Sequence, residues 1–162
     1  LRENIAEPVI AGVLLGKSER ARELGLTLSI DTGSRLEMLP GHIRDEDIVT
    51  VLGNLIDNAF DACIARGHEI SDKNVSVSIS DFGQEIILEV EDQGIGLPSD
   101  LNQQQLVTLS VSTKKGEGRG VGLHLIDKII KQYKGQLNME SELNTGTRIT
   151  VYLPKIMHKG VV

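Results

Sequence analysis

Four polar residues stand at helical spacing inside an apolar run, VTVLGNLIDNAFDACIA: Asn54, Asp57, Asn58 and Asp61, with no Lys or Arg beside them. At 3.6 residues per turn they fall within a sector of roughly 100°. Asn54 and Asn58, at i and i+4, can both reach one ligand. Amide oxygens suit Mg²⁺, which binds few protein oxygens and completes its shell with water and phosphate. The alternative is a solvated helix face, although such a face more usually carries Lys, Glu or Gln.

A carboxylate follows a predicted strand in EDQGIGLP, residues 91–98. Asp92 stands where the strand pattern stops, and Gly94 and Gly96 come directly after it. An ionised carboxylate offers only acceptors, so it suits an exocyclic amine such as that of adenine. The two glycines permit close backbone approach. The alternative is an ordinary acidic turn, because Asp and Gly are common turn residues.

A glycine at every second position opens a predicted helix in GEGRGVGL, residues 116–123. Glycines there allow backbone amides to line an anion at a helix N-terminus. Basic and hydroxyl side chains lie in the same segment: Ser112, Thr113, Lys114, Lys115 and Arg119. The pattern favours phosphate binding over a solvated surface loop.

The elements that must hold these groups follow from hydrophobic periodicity. Helices are predicted over 3–24, 45–66 and 120–134, the first with Ile5, Val9, Val13 and Leu14 as its apolar stripe and the last with Val121, Leu125 and Ile129. Strands are predicted over 27–31, 75–80, 85–92, 136–141 and 147–153. The connection from 92 to 120 is long, which is typical of functional loops. The order predicts an α/β two-layer sandwich, a mixed sheet with helices on one face.

Composition limits the function classes. The 162 residues suit one domain, 1–162, and the formal net charge of −6 disfavours nucleic-acid binding. One cysteine, Cys63, excludes an internal disulfide and a cysteine metal cluster. We expect no run of membrane-spanning length and a cytoplasmic fragment, and LRENIAEP suggests a start inside a larger protein. AGVLLGKS, residues 11–18, nearly matches a P-loop, but its helical periodicity predicts an ordinary helix.

Taken together, these segments resemble the GHKL ATPase superfamily: gyrase-type topoisomerases, Hsp90, MutL and sensor histidine kinases. NLIDNA resembles the N box, DQGIG the G1 box, GRGVG the G2 box and NTGTRITVYLP the final glycine–threonine segment. The helix IAEPVIAGVLLGKSERARELG and the run STKKGEGRGVGLHLI resemble the catalytic domain of citrate/C4-dicarboxylate sensor kinases. The resemblance implies the Bergerat fold with an ATP lid at about 97–117.

The resemblance also implies roles by position, with ATP and Mg²⁺ as cofactors. Asn58 would ligate Mg²⁺, Asn54 would approach the phosphates or the metal shell, and Asp92 would take the adenine amine. The remaining positions would surround the nucleotide: Gly94 and Gly96 at the adenine wall, Thr147 at the adenine side, and Thr113, Lys114, Gly118, Arg119, Gly120 and Gly122 near the phosphates.

Two positions are informative within the family: Asp61 departs from the usual pattern, and Asn54 distinguishes phosphoryl transfer from ATP hydrolysis. Many histidine kinases carry Lys or Arg where Asp61 stands, so the positive charge would come from Lys114 or Arg119. ATP-hydrolysing members commonly carry a Glu where Asn54 stands. Without that base, Asn54 implies phosphoryl transfer to a protein rather than to water, and it is the catalytic candidate.

The implied activity is histidine kinase, with an acceptor histidine and dimerisation domain upstream and a response regulator acting through that domain. We expect the parent to be a homodimer anchored in the inner membrane. The four histidines here, His42, His68, His124 and His158, are expected to be structural or surface residues. Two alternatives stay open: a nucleotide-gated interaction module, such as an anti-sigma-like protein or degenerate kinase, and an ATP-driven clamp.

Overall fold

The described residues form a five-stranded mixed sheet with three long helices packed on one face. This computed structural model describes residues 5–67, 72–106, 108 and 120–156. The helices are α1 (Pro8–Glu23), α2 (Asp45–Arg66) and α3 (Gly120–Gln132). The strands are β1 (Thr27–Ile30), β2 (Asn74–Ser80), β3 (Glu85–Asp92), β4 (Gln136–Glu142) and β5 (Gly146–Pro154). The predicted α/β sandwich is confirmed.

The strand order is β1-β2-β3-β5-β4. Strand β1 pairs in parallel with β2, and the other three pairings are antiparallel. Alternate residues of β3, namely Ile86, Leu88, Val90 and Asp92, are buried, so they share the helix-covered face. Asp92 is therefore the last member of a buried row, held at the end of the sheet.

Helix α2 lies in the middle of the helical layer, against β2, β3 and β5, with α1 and α3 on either side. Acidic residues in its first turn complement the helix dipole, and Gly67, at φ 63°, follows its last residue. Buried residues include Leu52, Leu55 and Ile56. The site-bearing helix is thus also the main core helix.

Two predicted apolar stripes are wrong in detail. Helix α1 begins at Pro8, and Ile5 instead forms a bridge with Leu36. Val9 is exposed, and the buried members of α1 are Ile10, Leu14 and Ala21. In α3, Leu125 is exposed, while Leu123, Ile126, Ile129 and Ile130 are buried. Both errors come from choosing one of two adjacent apolar rows, which periodicity alone does not separate.

Within the described part of the chain, α2 is long and apolar enough to span a membrane by length and composition, with a mean hydropathy of 1.4. This is weak evidence for a membrane span, because the core helix of a soluble protein has the same length and composition. Half of the most apolar stretch of α2 is buried inside the fold. AGVLLGKS lies within α1, so the rejection of a P-loop is confirmed.

Candidate functional site

The asparagine face of α2 is polar but not simply solvated. Asn58 is only 8% exposed, and its Nδ2 has no hydrogen-bond partner among the described residues. Asn54 is half-buried, and its Nδ2 donates to the Thr50 carbonyl oxygen at 2.7 Å. A buried amide without a partner is rare in native proteins, so Asn58 indicates a ligand-binding position.

Asp57, which lacks a basic neighbour in the sequence, is paired in the fold. Lys17 of α1 donates to Asp57 Oδ1 at 2.7 Å, and the same lysine side chain passes close to Gly53. This pairing forms because α1 and α2 pack side by side, and the Asp57 side chain stays half exposed. Lys17, the lysine of the P-loop-like stretch, therefore lies beside Gly53, the residue that precedes Asn54 on α2.

At the end of β3, Asp92 is 7% exposed, and its Oδ1 accepts a hydrogen bond from Gly94 N–H at 2.8 Å. Gly94 packs on α2 so closely that a Cβ there would lie 2.4 Å from the Ala62 carbonyl carbon. Ile95 N–H donates to the Ala62 carbonyl oxygen at 3.0 Å. These contacts join the end of β3 to α2, the helix that carries both asparagines.

Thr147 of β5 is the direct partner of Asp92 across the sheet, and Ser141 of β4 is the partner of Thr147. Directly paired residues share a face, so all three side chains lie on the helix-covered side. Gly146 permits this approach, because a Cβ there would lie 2.0 Å from the Asp92 carbonyl oxygen, at a φ of +142°. The fold therefore brings Asp92 and Thr147 together.

A cavity of about 530 Å³ opens at this end of the sheet. Its lining includes Asp92, Ser141, Gly146 and Thr147, together with Glu91, Gln93, Ser99, Glu140, Glu142, Thr145 and Arg148. Neither Asn54 nor Asn58 belongs to this lining. The structure thus places Asp92 and Thr147 at a cavity, whereas Gly94 and Gly96 lie outside its lining and the asparagines lie on α2.

Cys63 is buried in α2 close to Asp92. Burial, and secondly the charge of the Asp92 carboxylate, raise the pKa of the Cys63 thiol to about 11. A raised thiol pKa keeps the neutral form through the physiological range and makes the residue a poor nucleophile. Cys63 therefore packs behind the site rather than reacting in it.

Of the residues predicted to lie near the phosphates, two are within the described part of the chain and the others are not. Gly120 and Gly122 lie in the first turn of α3, as predicted for a helix-opening glycine segment. Thr113, Lys114, Gly118 and Arg119 lie outside the described residues, as do His68, His158 and residues 107 and 109–117 of the predicted lid. His124 is exposed, and His42 Nε2 lies 3.1 Å from the Pro154 carbonyl oxygen, which agrees with surface and structural roles.

Residues that sequence reasoning missed are Ser141, Lys17 and Gln103. Gln103 pairs its side-chain amide with the backbone of Met139 on β4, donating to the carbonyl oxygen at 2.6 Å and accepting from N–H at 2.5 Å. Ser141 accepts from Leu97 N–H at 2.8 Å. Together with buried Leu106, these contacts fasten the start of the predicted lid to the edge strand.

A family model matches residues 44–156 of this chain, and its description is histidine kinase-, DNA gyrase B- and HSP90-like ATPase. The chain belongs to this family. It is 39% identical over 158 residues to the sensor histidine kinase DpiB of Escherichia coli K12, covering 96% of this chain and 28% of that protein. It is 37% identical over 153 residues to a probable C4-dicarboxylate sensor kinase of Halalkalibacterium halodurans, covering 94% of this chain and 28% of the relative.

The predicted resemblance to citrate/C4-dicarboxylate sensor kinases is thus confirmed. The chain spans a little over a quarter of the length of these relatives. Among solved structures, the complex of full-length ShkA with AMPPNP has a TM-score of 0.67 at 24% identity and covers 93% of this chain and 31% of that one. That likeness supports the fold.

Proposed function

We propose that this chain is the Mg·ATP-binding kinase module of a sensor histidine kinase. It transfers the γ-phosphoryl group to a histidine on an upstream dimerisation domain of the same protein. The observation that carries the proposal is the pairing of buried Asp92 with Thr147 at a cavity, at the strand end that packs on α2. On that helix, the buried Nδ2 of Asn58 has no partner in the described part of the fold. Family membership supports the nucleotide assignment.

The adenine end is formed by Asp92, which accepts the exocyclic amine, and by Thr147 beside it. Gly94 and Gly96 shape the wall there, since neither position has room for a side chain. Gly96 would place a Cβ 2.0 Å from the Glu142 carbonyl oxygen. A base entering this end meets a backbone that is already packed, so little ordering is required on binding.

The asparagine face fits a magnesium ion held mainly by phosphate oxygens. Among the described residues, no group of three His, Cys, Asp or Glu could hold a metal. Mg²⁺ accepts such an arrangement, because it needs few protein oxygens and keeps several waters. Asn58 would supply the amide oxygen. When bound, the ion would neutralise charge on the phosphates.

Asn54 favours transfer to a protein over hydrolysis. Its amide donates within its own helix and has no carboxylate with which to activate water. Asp57 is engaged by Lys17 and is not a free base either. Catalysis would then rest on positioning and charge neutralisation, as in phosphoryl transfer generally.

Thr113, Lys114, Gly118 and Arg119, with Gly120 and Gly122, remain the predicted phosphate ligands. The full protein would be a membrane-anchored homodimer whose dimerisation domain carries the acceptor histidine and passes phosphate to a response regulator. The relatives being several times longer than this chain supports such further domains.

The deciding experiment incubates the full-length protein with γ-labelled ATP and Mg²⁺ and follows label on histidine. We expect acid-labile phosphate on the upstream domain and none on this domain alone. Tight ATP binding without any transfer in the full-length protein would favour the non-catalytic, nucleotide-gated module instead.

The site assignment is tested by calorimetric ATP titration with and without Mg²⁺. Asp92→Ala should lower affinity about 30-fold under both conditions, because a charge-assisted hydrogen bond is lost. Asn58→Ala should remove most of the Mg²⁺ dependence. Unchanged binding in both variants would contradict the assignment. Glu89→Ala, on the opposite face of β3 and outside the cavity lining, is the matched control.

A further inference from the structure

Ser141 joins the wall of the cavity to the start of the predicted lid. Its Oγ lies 2.7 Å from Thr147 Oγ1, 3.2 Å from the Gly146 carbonyl oxygen and 2.8 Å from the Leu97 nitrogen. Thr147 in turn stands directly opposite Asp92. The Ser141 hydroxyl therefore contacts both Thr147, the cross-strand partner of Asp92, and Leu97, at the start of the predicted lid.

The direction of these hydrogen bonds follows from what each atom can do. A serine hydroxyl has one proton and two acceptor lone pairs. The Gly146 carbonyl oxygen can only accept, so Ser141 donates its proton there. The Leu97 N–H can only donate, so it occupies one lone pair of Ser141. The remaining lone pair accepts the Thr147 hydroxyl proton, an assignment made from the network as a whole.

The Gly146 carbonyl oxygen is also shielded by the loop that follows β3. A Cβ on Gly96 would lie 3.1 Å from that oxygen and 2.0 Å from the Glu142 carbonyl oxygen, so the loop backbone packs directly over the hairpin end. Covered carbonyl oxygens need donors from the protein, because water has little access. The loop thus favours the serine proton pointing at Gly146 rather than at Thr147.

Thr147 is left with acceptor lone pairs toward the cavity, next to a carboxylate that can also only accept. Resting on the proposed function, we propose that Ser141 is a positioning residue that fixes Thr147 as an acceptor. The pocket then selects a 6-amino purine nucleotide over a 6-oxo one. The amine donates to this pair of groups, whereas a 6-oxo oxygen places a third acceptor against them.

Gln103 provides a matched control. It attaches the same segment to the same strand, through the Met139 backbone, and its hydrogen bonds do not involve Thr147. A variant that loosens only the attachment of the lid can therefore be compared with one that also releases the threonine hydroxyl.

The experiment measures the affinities of the full-length protein for ATP and inosine triphosphate, with Mg²⁺, by titration calorimetry. Ser141→Ala should lower the ATP-to-inosine preference about 3- to 10-fold, the equivalent of one hydrogen bond. Ser141→Thr, which keeps a hydroxyl, should restore it. Gln103→Ala should leave the ratio within about twofold, because it changes no group facing the base.

An unchanged ratio in Ser141→Ala, or an equal fall in Gln103→Ala, would overturn the inference. If Ser141→Ala does not fold, Thr147→Val removes the second hydroxyl with its shape retained and should lower the ratio equally. A full preference in Thr147→Val would then reject the role. Failure of the wild-type protein to bind ATP would instead reject the proposed function itself.

Discussion

The two ends of the candidate pocket differ in how far the protein satisfies its own polar groups. At the adenine end, Asp92, Ser141 and Thr147 are joined by hydrogen bonds to each other's strands and to the loop that follows β3. At the phosphate end, Asn58 Nδ2 is buried without a partner among the described residues, and Asn54 donates within its own helix. The proposed adenine end is thus organised without a ligand, whereas the proposed phosphate end keeps a buried donor that has no partner among the described residues.

The largest expected effect is that of a substitution at Gly146, which would disrupt the contacts of the proposed adenine end. Gly146→Ala would place a Cβ 2.0 Å from the Asp92 carbonyl oxygen at a φ of +142°. We expect a loss of about 3 kcal/mol in unfolding free energy together with loss of ATP binding. Urea denaturation and calorimetry measure both. Gly12→Ala, in open space on α1, is the control and should not destabilise the protein.

Asp92→Ala tests whether the organised end supports the ligand-free fold. The substitution leaves the Gly94 N–H without its 2.8 Å acceptor. We expect the free energy of unfolding without nucleotide to fall by about 2 kcal/mol, because a hydrogen bond to a charged group is lost. Equal stability of Asp92→Ala and wild type in urea would show that this end is not pre-organised.

Asn58→Leu should raise the free energy of unfolding of the ligand-free protein, whereas Asp92→Ala lowers it. Replacing a buried, unpartnered amide with an apolar side chain removes a desolvation penalty, so the ligand-free protein should gain about 1 kcal/mol. Stabilisation by Mg·ATP in thermal denaturation should disappear in the same variant. Asn54→Leu, whose amide is already bonded, should show no such gain. A destabilised Asn58→Leu protein would show that the Asn58 amide already has a stabilising partner in the ligand-free protein, which would contradict the comparison.

The smallest effect concerns the Lys17–Asp57 pair beside the phosphate end. Its side chains are 26% and 51% exposed, so solvent screens the interaction. Lys17→Met should cost about 0.3 kcal/mol of stability. A double-mutant cycle with Asp57→Asn isolates the pair, and a coupling energy several times larger would indicate that this pair belongs to the organised part of the site.

The sequence predicted what depends on periodicity and local spacing. The bounds of α2 and β3 match the predictions at both ends, and the i, i+4 asparagines share a face as expected. Asp92 could be placed because a strand pattern stops there. Contacts made across the fold could not be predicted: Lys17 and Asp57 are 40 residues apart.

Ser141 illustrates the same limit more sharply. In the sequence it is an ordinary polar residue of a short strand, and its importance depends on a loop returning over a distant hairpin. Burial of Asn58 could not be predicted either, because a polar stripe on a helix is compatible with a ligand-binding face and with a solvated one. Candidate residues with local signals could therefore be proposed from the sequence, whereas those defined by tertiary packing could not.

Gln103 has a consequence beyond the pocket. Strand β4 is the outer strand of the sheet on its side, and its free backbone edge is where another chain could add a strand. By occupying the Met139 N–H and carbonyl groups, the Gln103 amide blocks that edge near its centre. The covering segment therefore also protects the domain against self-association, and its removal would favour sheet-to-sheet aggregation.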